Sequence, residues 1–218
     1  MNIIFEDKDL LVVEKPAGIA TQSAGVGVPD LETELMKYRK NKGEVPEIYV
    51  VHRLDQPVAG LLVFAKTKEA AAALTKELTG EAFTKTYEAT VFKTERFVRE
   101  GRLTDYLVKE KKGNLSRIAA SPNEAGAKEA RLSYETVCED EKTATLKVHL
   151  ETGRHHQIRL QFSNAGMPLV GDLKYGSNES IAYSKEVGVK FVALRATELK
   201  FTHPKSKKEM RFLLNAEG

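Results

Sequence analysis

Two short stretches of this 218-residue chain gather residues whose types could do chemistry. "VHRLDQPVAGLLVFAKT" (51–67) carries His52, Arg53 and Asp55, and "GRHHQIRLQFSNAG" (153–166) carries Arg154 and Arg159. Asp55 lies between two apolar, strand-like runs, Val50-Val51 and Leu61 to Phe64, and no second acid stands close by to share a proton or a metal. A buried carboxylate is costly unless something pairs it. Placed on a turn after a strand, it could serve as a nucleophile or a base. Arg154 and Arg159 are five residues apart, so on a helix they point in different directions and at most one faces a shared site. Arg159, flanked by Ile158 and Leu160, is the better candidate for burial, and a buried arginine itself needs a carboxylate. The spacing allows a purely structural Asp55–Arg159 bridge as readily as a catalytic one.

Other chemistries lack their residues. There is no Walker A sequence, and "SAGVGVPD" (23–30) has neither the G-x-G-x-x-G spacing nor a strand-to-helix turn, so it reads as a flexible turn. The five histidines include His155-His156, but no H-E-x-x-H and no paired carboxylates at ligand spacing, so no metal site is expected. One of those two histidines can simply satisfy a core position. No G-x-S-x-G elbow activates a serine. Cys138 is the sole cysteine, which excludes an internal disulfide and suits an inert thiol in a reducing cytoplasm. The first ten residues contain acids and no long apolar core, unlike a signal peptide, and no run reaches the ~20 apolar residues of a membrane span. Net charge is only +3, and the excess sits near the end of the chain. From Lys190 onward seven Lys/Arg face three acids, with "HPKSKKEMR" at the centre, a solvated hairpin tip on its plainest reading.

The elements that must position these residues follow from pattern. Ile3–Phe5 and Leu10–Val13 read as a hairpin turning at Asp7-Lys8-Asp9. Pro29-Asp30 opens a helix whose Leu31, Leu35 and Met36 share a face, followed by a charged link, "RKNKGEVPE". Ile48–Val51 and Leu61–Lys66 are strand-like, and Thr67 caps a helix through "KEAAAALTKEL", with Gly80 placed to end it. Strand-like segments follow at 87–92, 103–108, 115–119, 130–137 and 144–150. "GRHHQIRLQFSNAG" reads as a helix closed by Gly166, and a Gly- and Ser-rich loop follows Gly171-Asp172. Residues 191–201 and 210–213 then pair across the basic tip. Consecutive strands outnumber helices, so the expectation is a single α+β domain over 1–218, a largely antiparallel or mixed sheet with flanking helices.

Five blocks, in order, carry a family resemblance. "IIFEDKDLLVVEKPAGIATQS" resembles the N-terminal strand pair and Lys-Pro-Gly loop of the RluA-type RNA pseudouridine synthases. "HRLDQPVAGLLVFAKT" resembles their H-R-L-D-x-x-T-S-G motif, and "FTKTYEATV" the segment with their active-site tyrosine. "TGRHHQIRLQFSNAGMPLVGDLKYG" is similar to G-R-T-H-Q-I-R and its Gly-Asp-x-x-Tyr-Gly loop, and "LRATELKFTHP" to the closing L-H-A-x-x-L-x-F-x-H-P. The resemblance covers nearly the whole chain and implies a pseudouridine synthase fold and isomerisation of uridine in structured ribosomal or transfer RNA. It implies no metal and no organic cofactor. With no signal peptide or membrane span in the sequence the cytoplasm is the default location, and since nothing demands an oligomer a monomer is expected.

Residue by residue, the resemblance makes Asp55 the catalytic carboxylate. Arg159 would keep it ionised and aimed, and Tyr87 would stack on the uracil and mediate loss of the C5 proton. Arg53 matches the arginine that fills the RNA stack as the base leaves, with phosphate binding as the alternative role. His52, Lys85 and Arg154 complete the expected RNA-binding set. Tyr87 is open to a plain packing role. The chain departs from the family pattern at Val58-Ala59 in place of Thr-Ser, at His155 in place of threonine, and at Arg195 in place of histidine. It begins at the catalytic-domain hairpin, so the S4 RNA-binding domain of many relatives is not expected. A non-catalytic RNA-binding or folding factor on the same scaffold is the alternative function. A hydrolytic nucleosidase suffers from the missing second acid.

Overall fold

The computed structural model describes residues 2–23, 25 and 28–214. Met1 and residues 215–218 lie outside them, as do Ala24, Val26 and Gly27 of the expected 23–30 turn. The chain divides into two compact units, 1–85 with 195–218, and 86–194.

In the first unit, β1 (Asn2–Glu6) and β2 (Leu10–Lys15) form the expected hairpin. Asp7 Oδ1 closes its turn by accepting the N–H groups of Asp9 and Leu10, each at 2.8 Å. β2 pairs antiparallel along β4 (Ala59–Ala65), from Leu10↔Ala65 to Lys15↔Gly60. The other edge of β4 is shared. β3 (Tyr49–Val50) pairs antiparallel near its end, and β10 (Leu194–Thr202) runs parallel to its start at Arg195↔Ala59. β4 is therefore central and buried along nearly all its length, which explains its unbroken apolar run. β11 (Glu209–Leu213) pairs with β10 across the basic tip, as expected.

Two helices belong to this unit. α1 (Leu31–Asn41) starts at Asp30, whose carboxylate accepts the Thr33 N–H at 2.7 Å, and α2 (Lys68–Glu77) starts at Thr67, whose hydroxyl accepts the Ala70 N–H at 3.1 Å. α2 lays Ala70 and Leu74 on Leu61, Val63, Phe83 and Phe201, so the strand that follows Asp55 is seated in a dry core. α1 takes in the first three residues of the expected charged link, because Arg39 is buried and bonds Glu44 and the Glu47 carbonyl.

In the second unit, β5 (Thr84–Phe92), β9 (Thr143–Leu150), β8 (Lys128–Glu139), β6 (Glu100–Lys109) and β7 (Ser116–Ile118) pair antiparallel in that order. α3 (Gln157–Asn164) begins four residues later than the pattern suggests, because His156 sits in the left-handed region at φ 55°. α4 (Asn178–Glu186) occupies what reads as a Gly- and Ser-rich loop. The expectation of a loop fails there because Ser177 is a cap, accepting the Ser180 N–H at 3.2 Å, and the buried face of the helix is Ser180 and Ser184. The antiparallel ladders and the parallel β4–β10 pair together make the class α+β with mixed sheet pairing. No helix among the described residues is long and apolar enough to cross a membrane.

One glycine is fixed by this arrangement. Gly60 has φ +120°, and a Cβ there would meet the backbone of Ala196 at 2.3–2.4 Å. The parallel approach of β10 to the start of β4 requires a residue without a side chain. Gly60→Ala is expected to destabilise the protein by roughly 2–4 kcal/mol, read as a shift of the urea midpoint at unchanged slope.

Candidate active site

Asp55 lies on the turn between β3 and β4, half-buried, and the segment after β2 holds its neighbours on both sides. Before it, the buried hydroxyl of Thr21 accepts the Leu54 N–H at 3.2 Å and donates to the Leu54 carbonyl at 2.9 Å. After it, the Gln56 carbonyl accepts the Gly18 N–H at 2.8 Å, and the Gln56 amide donates back to the Gly18 carbonyl at 3.0 Å. Within the turn, the Val58 N–H donates to the Asp55 carbonyl at 3.0 Å. Leu54 and Gln56 are thus clamped, and Asp55 is carried between two fixed peptides.

Lys15 organises this loop. Its side chain is fully buried, and its ammonium donates to the carbonyls of Ile19 at 2.6 Å, Pro16 at 2.9 Å and Gln56 at 3.1 Å. Three donors meet three acceptors, the satisfaction that a buried ammonium demands. Burial lowers its pKa from 10.5 to about 8, against the pull of the Asp55 carboxylate, which favours the charged form. Sequence patterning does not show Lys15 or Thr21 as site residues, since their partners here are chiefly backbone groups.

The remaining residues of the first motif divide between fold and surface. His52 Nε2 accepts the Val63 N–H at 3.3 Å, so the ring prolongs β3 and pairs a backbone donor of β4. That leaves the proton on Nδ1, which is shielded from solvent and bonds to nothing among the described residues. Burial and the neighbouring Lys85 hold the His52 pKa well below its ordinary value, so the ring is neutral. It meets the Phe83 ring edge-on at 5.3 Å, and Lys85 Nζ lies over that same phenyl ring at 5.7 Å. Lys85 is half-buried, burial lowers its pKa, and no carboxylate pairs with it among the described residues. Arg53 is exposed.

In the second unit, Tyr87 is buried on β5, and its backbone faces Val148 of β9. Arg159 is buried on α3, and its guanidinium grips Asp172 with both arms, Nε to Oδ2 at 2.7 Å and the terminal nitrogen to Oδ1 at 2.8 Å. Burial pushes the Asp172 carboxyl up, but Arg159 and the N–H groups of Lys174 and Tyr175 outweigh it and hold the acid below its ordinary range. The carboxylate that a buried arginine needs is supplied here by Asp172, thirteen residues along the chain, a pairing that the sequence reading did not foresee. Arg159 also stacks over the Tyr175 ring at 5.2 Å. Tyr175 in turn bonds His156 Nδ1 at 2.7 Å and accepts the Ser116 N–H at 2.8 Å.

His156 is the core histidine of its pair. His155 stacks on it with centroids 3.8 Å apart and reaches Ser116 Oγ at 2.8 Å and Asn114 at 2.9 Å. Arg154 precedes α3, exposed, with Nε donating to the Glu129 carbonyl at 2.7 Å. Asp7, Asp9 and His203 form a group with ligand atoms within 4.8 Å of one another. His203 Nε2, however, faces Asp7 at 2.7 Å while Nδ1 accepts two backbone N–H groups, so the ring closes a turn and has no lone pair to spare.

Sequence and structure comparisons identify the family. The sequence model of the family described as RNA pseudouridylate synthase matches residues 9–164. A ribosomal large subunit pseudouridine synthase D from Yersinia pestis is 33% identical over 94% of this chain and 63% of its own length. An uncharacterized RNA pseudouridine synthase of Bacillus subtilis is 31% identical over 94% of the chain and 65% of its own length. The chain thus spans just under two thirds of these curated relatives. Among solved structures, human RNA pseudouridylate synthase domain containing 4 superposes with a TM-score of 0.78 over 98% of the chain and 88% of its own, at 20% identity. Human RNA pseudouridylate synthase domain containing 1 gives 0.75 over 99% and 83%, also at 20%. The structures establish the shared fold. With more than half of its residues matched by the family's sequence model, the chain belongs to the RNA pseudouridylate synthase family.

Proposed function

We propose that this protein isomerises a uridine to pseudouridine in structured RNA, with Asp55 as the catalytic carboxylate. The observation that carries the reading is the clamped turn. One acid, with no second acid beside it in sequence, is held between two fixed peptides and faces the charge of a buried lysine. The curated relatives named as ribosomal large subunit pseudouridine synthases favour ribosomal large-subunit RNA over transfer RNA as the substrate. A cytoplasmic monomer goes with this reading, and the family resemblance implies no metal or organic cofactor.

The reaction breaks the bond between ribose C1′ and uracil N1, turns the base, and joins C1′ to C5, from which a proton then leaves. A hydrolase would need a second group to activate water, whereas an isomerase keeps the cleaved base and has no use for one. Two routes are open to a lone carboxylate: attack at C1′, or removal of the C2′ proton to give a glycal. Arg159, oriented by its two-armed grip on Asp172, would supply positive charge to keep Asp55 ionised. Tyr87 would stack on the uracil and take part in loss of the C5 proton. Arg53, exposed, would fill the RNA stack as the uridine leaves it. Lys85, half-buried without a carboxylate, and Arg154, exposed, would meet RNA phosphates. His52 serves this set by tying the segment that leads from β3 into Arg53 and Asp55 to the Val63 N–H of β4. The Val58-Ala59 departure, which favours a non-catalytic RNA-binding factor, is answered by the bracing that Thr21, Gly18 and Lys15 give the turn.

Two outcomes are expected. Purified protein, given ribosomal RNA labelled with tritium at uracil C5, should release tritium and yield pseudouridine without free uracil. Binding without release would indicate the RNA-binding factor, and free uracil a nucleosidase. Turnover should also fall as pH rises through about 8, where Lys15 loses its proton and leaves two N–H groups for three carbonyls. The sign for stability is opposite. The Lys15 pKa is lower in the folded chain than its ordinary 10.5, so between about 8 and 10.5 the unfolded chain binds more protons and this group favours folding as pH rises. A kcat profile that stays flat to pH 10, with Tm recorded in parallel, would count against Lys15 as the organiser of the loop.

A further inference from the structure

We infer that Thr21 is a positioning residue for the reaction, its hydroxyl fixing the peptide from which the Asp55 carboxylate is aimed. The inference rests on the reading of Asp55 as the catalytic group. Thr21 is buried, and its hydroxyl engages both backbone groups of Leu54, the residue immediately before Asp55. A single Oγ1 that accepts the N–H and donates to the C=O of Leu54 ties down the two peptide units on either side of that residue, the second of which leads directly into Asp55. In place of a neighbouring strand, one side chain supplies both halves of a ladder contact.

The hydroxyl can do this because Thr21 is itself immobilised. Its carbonyl accepts the Glu32 N–H at 3.1 Å, and the Ala20 carbonyl accepts the Leu31 N–H at 3.0 Å. Both donors are first-turn amides of α1, which an isolated helix leaves without partners. Asp30 at the cap of α1 also accepts the Ser23 N–H at 2.8 Å through its other oxygen. A continuous path of hydrogen bonds therefore runs from the start of α1, through residues 20–23, to Leu54.

Positions 58 and 59, where the chain re-enters β4 after Asp55, are valine and alanine, so neither can hydrogen-bond the turn through a side chain. The polar side chain that grips the peptide before Asp55 comes instead from a segment 33 residues upstream. Threonine suits the position because its β-branched χ1 is stiff, which keeps the hydroxyl aimed.

The test compares Thr21→Val and Thr21→Ala, which remove the hydroxyl, with Thr21→Ser, which keeps it. Steady-state tritium release on ribosomal RNA, RNA affinity and Tm are measured for each. Loss of the hydroxyl should lower kcat about 30–100-fold while KM and RNA affinity change less than about 2-fold, the pattern of a misaimed group. Thr21→Ser should stay within about 3-fold of wild-type kcat. Thr21→Ala keeps the experiment informative if the valine methyl proves too large for the site. A kcat per folded molecule equal to wild type in the hydroxyl-less variants, with only Tm lowered, would overturn the proposal and leave the functional reading standing. A wild-type protein without turnover would overturn that reading, and this inference with it.

Discussion

A buried ammonium held by three backbone carbonyls is the constraint on which the first unit depends. Lys15 ends β2 with its charge in the interior, where it is tolerable only because those carbonyls converge on it. Two of them belong to the loop immediately following, Pro16 and Ile19, and the third to Gln56, 41 residues away. Satisfying one side chain therefore folds the 16–21 segment back on itself and ties it to the turn that bears Asp55. The lysine also places a positive charge near the Asp55 carboxylate, the group on which the proposed reaction rests.

The sheet gives that tie a fixed geometry. Lys15 faces Gly60 across the β2–β4 ladder, so the clamp and the re-entry of the chain into β4 lie at the same level of the sheet. On its other side, β10 presses so closely that only glycine fits at position 60. Further along β4, the His52 ring takes the Val63 N–H as a neighbouring strand would. The turn is therefore held at both ends by elements that the core of Leu61, Val63, Leu74 and Phe201 stabilises.

Much of this was legible in the sequence, for identifiable reasons. Hairpins, the caps at Asp30 and Thr67, and the terminal hairpin across the basic tip are local patterns in which side-chain type and spacing act directly. The position of Asp55 between strands was equally local. What escaped was interaction with the backbone. Lys15 and Thr21 act on carbonyls and amides, which every residue carries and no pattern marks. Asp172 was visible within the Gly-Asp-x-x-Tyr-Gly loop, but its pairing with Arg159 depends on how that loop returns to α3. α4 was missed because its buried face is serine, and α3 begins late because His156 adopts a left-handed conformation that no periodicity reveals.

The most direct measurement of the central claim is tritium release by Asp55→Asn. Asparagine preserves the volume of the side chain and leaves the Leu54 and Gln56 backbone bonds in place, so folding and RNA affinity should stay near wild type. Turnover should fall by at least about 10⁴-fold, the scale on which removal of a catalytic group acts. Tritium release by this variant within about 10-fold of wild type would contradict the account and take Asp55 out of the reaction.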